Sequence, residues 1–300
     1  MISEETVAQV ATLMPQPERS VVAVAPPTTG PGTWSGAPSA VCHDGEIYLA
    51  YRLRRPQGQG RGYAVAVARS ADGEHFETLL SIGREEMGAE SLERPALVVT
   101  PDGGWRLYLS CATPGTKHWR VEVIEARDPA GFDARSSRVV LPGDALNAVK
   151  DPVIVRDGDR WHLWASVHPL DDPDQTDRMT TDYASSPDGL SWAWQGTALS
   201  PRPGEWDARG VRVSAVRLTA GDAVAYYDGR ATAAENFEER TGVATGHPAA
   251  LTAHGPIAQS PYGLGGLRYL CIVGLPGGGE RYYYEMTRAD GSHELRTELR

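Results

Sequence analysis

The feature that most limits how this chain can fold is a hairpin that recurs. Polar, glycine-containing turns separate two short runs rich in β-branched and aromatic residues at 39–52, 96–111, 152–167 and 213–230, with a looser fifth copy at 262–273 around Gly265-Gly266. Runs of this kind fit a pleated, half-buried surface. The clearest copy is 150–168, KDPVIVRDGDRWHLWASVH. Its Val153 and Val155, then Trp161, Leu163 and Ala165, recur at period two, and Asp157-Gly158 supplies the positive φ that a tight turn requires. Pro152 can begin a strand but not sit in its middle, where the ladder needs an amide donor.

A second series of hairpins alternates with the first, at 63–76, 121–132, 181–192, 241–251 and 282–295. Their turns, near Asp72, Asp128, Asp188, His247 and Asp290, stand about 43 to 60 positions apart, close to the roughly 40–50 residues of a four-stranded propeller blade. Pairing the two series predicts an all-β fold, a five-bladed β-propeller of four-stranded antiparallel blades. Radial stacking buries both faces of such sheets and leaves only short outer edges. Residues 34–300 are expected to form this single domain. Residues 1–33 are expected to be an N-terminal extension, with a short helix over 4–13 and an approach loop through the Pro/Gly-rich 26–32.

The net charge of −10 lacks the basic footprint of a nucleic-acid binder. No basic segment leads into an apolar one at the N-terminus, and no apolar run reaches the roughly 18 residues of a membrane helix. The expectation is a cytoplasmic protein with neither nucleic acid nor membrane as partner. Cys42, Cys111 and Cys271 are scattered through strand-like runs and read as buried thiols. The acidic stretch 171–174 lacks the spacing of a calcium loop, and dinucleotide, P-loop and nucleophile-elbow motifs are missing. No metal and no cofactor are expected.

A radial fold gathers the entrances of its inner strands on one axial face. Those entrances read SGAP (35–38), SLERP (91–95), VKDP (149–152), ARGVR (208–212) and AQSP (258–261). Charge there marks Glu93, Arg94, Asp151, Arg209 and Arg212 as pocket residues; the alternative is turn hydrogen bonding and surface ion pairing. Asp228 and Arg230 end an apolar strand and suit a hydroxyl-rich ligand. Glu235, Glu238 and Glu239, next along the chain, are further candidate carboxylates; their partly helical spacing fits the solvated face of a short surface helix equally well. Arg52 extends the basic ring, Trp34, His118 and His168 are candidate linings, and His162, within an alternating strand, reads as structural.

The KDPVIV and ERPALV strand starts, the SPDGLSW hairpin and the fivefold blade count resemble the five-bladed β-propeller glycosidases, over about residues 34–296. These comprise the arabinanase/xylosidase group with fructosidase and mannoside-phosphorylase relatives. The resemblance implies a glycoside hydrolase-like enzyme acting on a small carbohydrate. It implies an Asp base in blade one, a pKa-tuning Asp in a later blade and a Glu acid. Asp151 matches the tuning position. Gly36-Ala37-Pro38 stands where the base would fall and Arg209-Gly210-Val211 where the acid would fall, both without a carboxylate.

Replacement carboxylates are therefore assigned: Glu93 as proton donor, Asp151 as the group tuning it, and Asp228 as the second carboxylate. Glycosidic cleavage by two carboxyl groups needs them about 5–5.5 Å apart for retention or about 6.5–9.5 Å for inversion. The ring of Arg52, Arg94, Arg209, Arg212 and Arg230 suits a carboxylate or phosphate, or pairs with those carboxylates. Three readings stay open: hydrolysis of a neutral or anionic glycoside, phosphorolysis, and a carbohydrate-binding propeller without chemistry. Sugar identity, anomeric outcome and oligomeric state are open as well.

Overall fold

Short polar side chains set the outer turns. In blade one the Asp72 carboxylate accepts from the amides of Glu74 and His75 at 2.8 and 2.9 Å, and the Ser70 hydroxyl accepts from Gly73 at 2.8 Å. Blade three repeats the device, with Asp188 accepting from Leu190 and Ser191 and Ser186 accepting from Gly189. These side chains take the place of backbone acceptors, which is why Ser, Asp and Gly mark the turns. The structure, a computed structural model, describes residues 13–300 apart from the side chains of Gln57 and Pro256. The helix expected over 4–13 lies outside the described residues except at Leu13.

In chain order, β1 (Val21–Val24) precedes blade one, which holds β2 (Trp34–His43), β3 (Glu46–Arg54), β4 (Gly62–Ser70) and β5 (Glu77–Gly83). Blade two holds β6 (Leu92–Val99), β7 (Trp105–Ala112), β8 (Trp119–Ala126) and β9 (Arg138–Leu141). Blade three holds β10 (Asn147–Asp157), β11 (Arg160–Pro169), β12 (Thr180–Ser186) and β13 (Ala193–Leu199). Blade four holds β14 (Gly210–Leu218), β15 (Ala223–Arg230), β16 (Arg240–His247) and β17 (Ala250–Ala258). Blade five holds β18 (Leu267–Gly274), β19 (Glu280–Thr287) and β20 (His293–Leu299). All pairings within blades are antiparallel, so the fold is an all-β five-bladed β-propeller.

The fourth strand of blade five is β1, with Val21 opposite Thr297 and Val22 opposite Arg296. One strand of the ring thus comes from the stretch expected to be an extension. A parallel bridge between Trp34 and His293 joins blade five to blade one, and Arg296 holds the Ser20 hydroxyl and carbonyl at 2.6 and 2.7 Å. The inner hairpin of blade five begins at Leu267 rather than Tyr262, and its turn lies in 275–279. Gly265-Gly266 precede the strand, and at Gly266 a Cβ would run into Thr287 and Glu238, so that glycine serves a close approach and not the hairpin turn.

Among the described residues there is no central apolar core. Apolar side chains fill five wedges between adjacent blades, such as Tyr108, Val121 and Val123 of blade two against Leu163, Ala165 and Ala184 of blade three. Inner strands are buried on both faces, which explains why Trp164 is as buried as Leu163. Polar staples cross three wedges: Tyr108 donates to the Gly189 carbonyl at 2.8 Å, Trp164 to Pro248 at 2.8 Å and Tyr283 to Gly73 at 2.9 Å. Each runs from the second strand of one blade to the outer turn of the next. No helix among the described residues is long and apolar enough to cross a membrane.

Candidate functional site

Every inner strand is interrupted by a register shift near the axis, between Gly36 and Ser39, Leu92 and Pro95, Lys150 and Val153, Val213 and Ala215, and Arg268 and Cys271. A bulge re-aims side chains that the pleat would send to the wedges. In blades one, three and five the displaced residue is Ala37, Asp151 or Tyr269, with φ of 51°, 55° and 57°. Left-handed backbone at such residues is strained and persists only where the surroundings hold it. The Asp151 amide donates to the Ser110 hydroxyl at 2.9 Å, and the Tyr269 amide reaches both Asp228 oxygens at 2.9 and 3.0 Å.

Glu93, Asp151 and Arg268, at or beside these bulges, meet Arg52, Asp228, Arg230 and Glu285 from the second strands at the axis, where carboxylates and guanidinium groups pair. Arg52 pairs with Glu93, and with Glu285 at 3.0 Å. Arg212 pairs with Asp228 at 2.9 Å and Asp151 at 3.3 Å. Arg268 pairs with Glu239 and Glu285, both at 2.6 Å, and Arg230 also pairs with Glu239. Gly36 makes room for this network, since a Cβ there would overlap the Glu285 carboxylate. The Tyr269 hydroxyl stands 3.4 Å from Glu93 and 3.5 Å from Asp151.

Above the network opens a cavity of about 250 Å³. Its charged lining is mostly cationic: Arg52, Arg54, Arg61, Arg212, Arg230 and Arg268 with Lys117 and Lys150, against Glu93, Asp177 and Glu239. Trp119, Phe237 and Tyr269 add aromatic surface. Burial pushes the Lys150 ammonium down to about 8, although Asp151 opposes the fall. Burial, with Lys150 close by, drives His168 down to about 3, so this ring is neutral. Its Nδ1 donates to the Thr176 carbonyl at 2.9 Å, leaving Nε2 as an acceptor that finds no donor.

Burial favours the protonated form of Asp151, but Lys150 and Arg212 outweigh it and keep that carboxyl below its ordinary value. At Asp228 burial wins over Arg212, and its pKa is raised. Glu239 is held well below the carboxylate range, burial being outweighed by Arg268 and Arg230. Burial, then Arg52 and Arg268, pushes the Arg54 guanidinium down to about 9.

Of the residues singled out in the sequence, Glu93, Arg52, Arg212, Arg230 and His168 line the cavity. Asp151 and Asp228 are fully buried behind Arg212. Arg94 turns away, its guanidinium donating to the carbonyls of Pro38, Ser214 and Leu270 from three other blades. Arg209 is not itself in the lining but pairs at 2.7 Å with Asp177, which is, and Trp34 lies under Arg54, stacked on His293 at 4.4 Å. His118 faces Thr113 while its neighbours Lys117 and Trp119 reach the cavity. His162 bonds the Tyr183 hydroxyl at 2.8 Å, a structural contact.

A short surface helix does form at Ala233–Glu235, the Glu235 carboxylate accepting from the Thr232 amide at 2.9 Å, but the two acidic residues that follow are not a solvated face. Glu239 is 1% exposed and bridges two arginines, and Glu238 accepts from Thr287 at 2.9 Å. Their partners lie in other strands, arginines for Glu239 and a hydroxyl for Glu238, and draw both carboxylates inward after the helix ends. Lys150, Arg54, Arg268 and Tyr269 were missed. Arg268-Tyr269 occupies the axial bulge of blade five, a position findable only once the strand start is moved to Leu267. Among the described residues no group of three or more His, Cys, Asp or Glu side chains is placed to hold a metal ion.

No protein-family model matches the sequence, and no curated protein matches it. Solved structures do resemble the fold. A thermostable family-43 glycoside hydrolase superposes with a TM-score of 0.69 at 14% identity, over 93% of this chain and 92% of the other. An alpha-L-arabinofuranosidase from Lactobacillus brevis gives 0.66 at 15% identity, over 88% and 90%. A beta-1,2-mannobiose phosphorylase from Listeria innocua gives 0.62 at 15% identity, over 95% and 96%. At such identities the likeness shows the architecture shared with five-bladed propeller glycosidases, and function must be argued from the site.

Proposed function

We propose that this protein is a glycoside hydrolase-like enzyme that takes a small, anionic carbohydrate into the axial pocket. The observation that carries the reading is the placement of Glu93, which lines the cavity and shares the Tyr269 hydroxyl with Asp151. A cavity of about 250 Å³ falls below the roughly 300–1,000 Å³ typical of drug-sized ligands, which favours a small substrate. The cationic lining, on a chain of net charge −10, favours an anionic one.

In this reading protonated Glu93 gives its proton to the glycosidic oxygen as the bond from that oxygen to the anomeric carbon breaks and a water oxygen bonds to that carbon. The proton the water loses restores the acid form of Glu93. The acid role requires Glu93 to carry a proton, for which its ion pair with Arg52 must open, leaving Arg52 on Glu285. Asp151 and Asp228 are positioning residues that act through Arg212 and Tyr269. A second reading, phosphorolysis, draws support from the state of the other carboxylates: of the three assigned only Glu93 reaches the cavity, and the remaining two in the lining, Asp177 and Glu239, are each tied to arginines. Hydrolysis needs a second carboxyl group to activate water or to attack, whereas phosphate would bring its own attacking oxygen. A carbohydrate-binding propeller is the third reading.

A panel of neutral and acidic glycosides incubated with and without phosphate separates these. Free sugar released without phosphate supports hydrolysis, and sugar phosphate formed only with it moves the reaction to phosphorolysis. Binding with no turnover of any panel member leaves only the binding propeller.

A further inference from the structure

We propose that Arg54 anchors an oxyanion of the ligand, a carboxylate or phosphate, in the axial pocket; this rests on the reading that the pocket is where the ligand binds. Arg54 is 3% exposed and lines the cavity. Arg52, Arg212, Arg230 and Arg268 each hold a carboxylate, but among the described residues Arg54 holds none, and its Nε has no hydrogen-bond partner. A buried guanidinium without a bonded counter-charge is unfavourable; Arg52 and Arg268 beside it make it more so, and the nearby Glu285 carboxylate offsets this only in part.

The aromatic neighbours answer only part of that need. The guanidinium carbon lies 3.8 Å from the Trp34 ring centroid and 4.5 Å from that of Phe237. Such contacts satisfy the faces of the cation. Its N–H donors point outward in its own plane and need acceptors there. The cavity is the side from which an acceptor can arrive, and the planar fork matches two oxygens of one carboxylate or phosphate. Trp34 and Phe237 would hold the fork in orientation, making Arg54 a specificity-determining residue that separates anionic ligands from their neutral counterparts.

The test is calorimetric binding of inorganic phosphate, methyl glucuronide and methyl glucoside to the wild-type chain, Arg54→Gln and Arg54→Lys. Phosphate or the glucuronide should bind more tightly than the glucoside, with Arg54→Gln losing about tenfold or more on the anion alone and Arg54→Lys less. Binding of phosphate alone would identify a free co-substrate, and preference for the glucuronide a charge carried on the sugar; both support the anchor. A wild-type chain with no preference for either anion, or an Arg54→Gln variant that keeps it, would overturn the proposal. Should the variants not fold, wild-type crystals soaked in selenate decide: an anomalous peak within hydrogen-bond reach of Arg54 supports it, and a peak only elsewhere overturns it. Anion binding without turnover of any glycoside would defeat the enzyme reading and leave the anchor standing.

Discussion

Arg212 lies over the Tyr269 ring, its guanidinium carbon 3.7 Å from the centroid, and both residues are tied to one buried carboxylate, Asp228. The strained φ of Tyr269 is therefore held by an ion from the neighbouring blade. Asp228 maintains the shape of the pocket floor from behind it.

Asp228→Asn should accordingly act on folding. Removing one partner of a buried pair leaves Arg212 short of a counter-charge, which typically costs about 3–5 kcal/mol. Urea denaturation should show a loss of this order, and a loss under about 1 kcal/mol would contradict the role.

Lys150 links the pocket to alkaline pH. Its pKa of about 8 in the folded chain lies below the roughly 10.4 of an unfolded lysine. Between these values the unfolded state binds more protons, so the contribution to stability rises with pH. Ligand affinity should move the other way: anion binding should weaken as pH rises through about 8, and Lys150→Met should flatten that step. A binding profile unchanged by the substitution would contradict it.

His168 produces an acid-side counterpart. The folded ring titrates at about 3 and the unfolded one near 6.5, so protons favour the unfolded state between those values. Stability should fall as pH drops through this window. Stability curves for His168→Gln should show a weaker dependence between about pH 6.5 and 3 if this burial is responsible, and an identical dependence if it is not.

Closure of the ring depends on Arg296, whose two bonds to Ser20 hold β1 beside β20. Hydrogen bonds from charged groups contribute about 1.5–3 kcal/mol each. Arg296→Met should lose stability on this scale, and limited proteolysis should cut near β1 before any other blade edge. Cleavage first at another blade would contradict the assignment of β1 as the closing strand.

The blades were legible because their signals are local: Ser70, Asp72 and Gly73, or Ser186, Asp188 and Gly189, carry their own turn chemistry, and the alternation around Trp161 and Leu163 is read within a few residues. The closing strand was not, because Val21–Val24 is four residues long and meets Thr297 from the far end of the chain. The axial charges were half legible. Strand starts with Glu93 and Asp151 stand before or near proline, whereas Arg268-Tyr269 reaches the same axis with no such mark. Which cation takes which anion is a property of the closed ring, so Arg94 and Arg209 read as pocket residues although each turns elsewhere.

Turnover in the axial pocket depends on Glu93 as the proton-transferring group. The decisive measurement is kcat on any glycoside found active, for the wild-type chain and for Glu93→Gln, with thermal unfolding of both recorded in parallel. The predicted result is a fall of about 100-fold or more with the fold intact; Glu93→Gln turning over at the wild-type rate would contradict it.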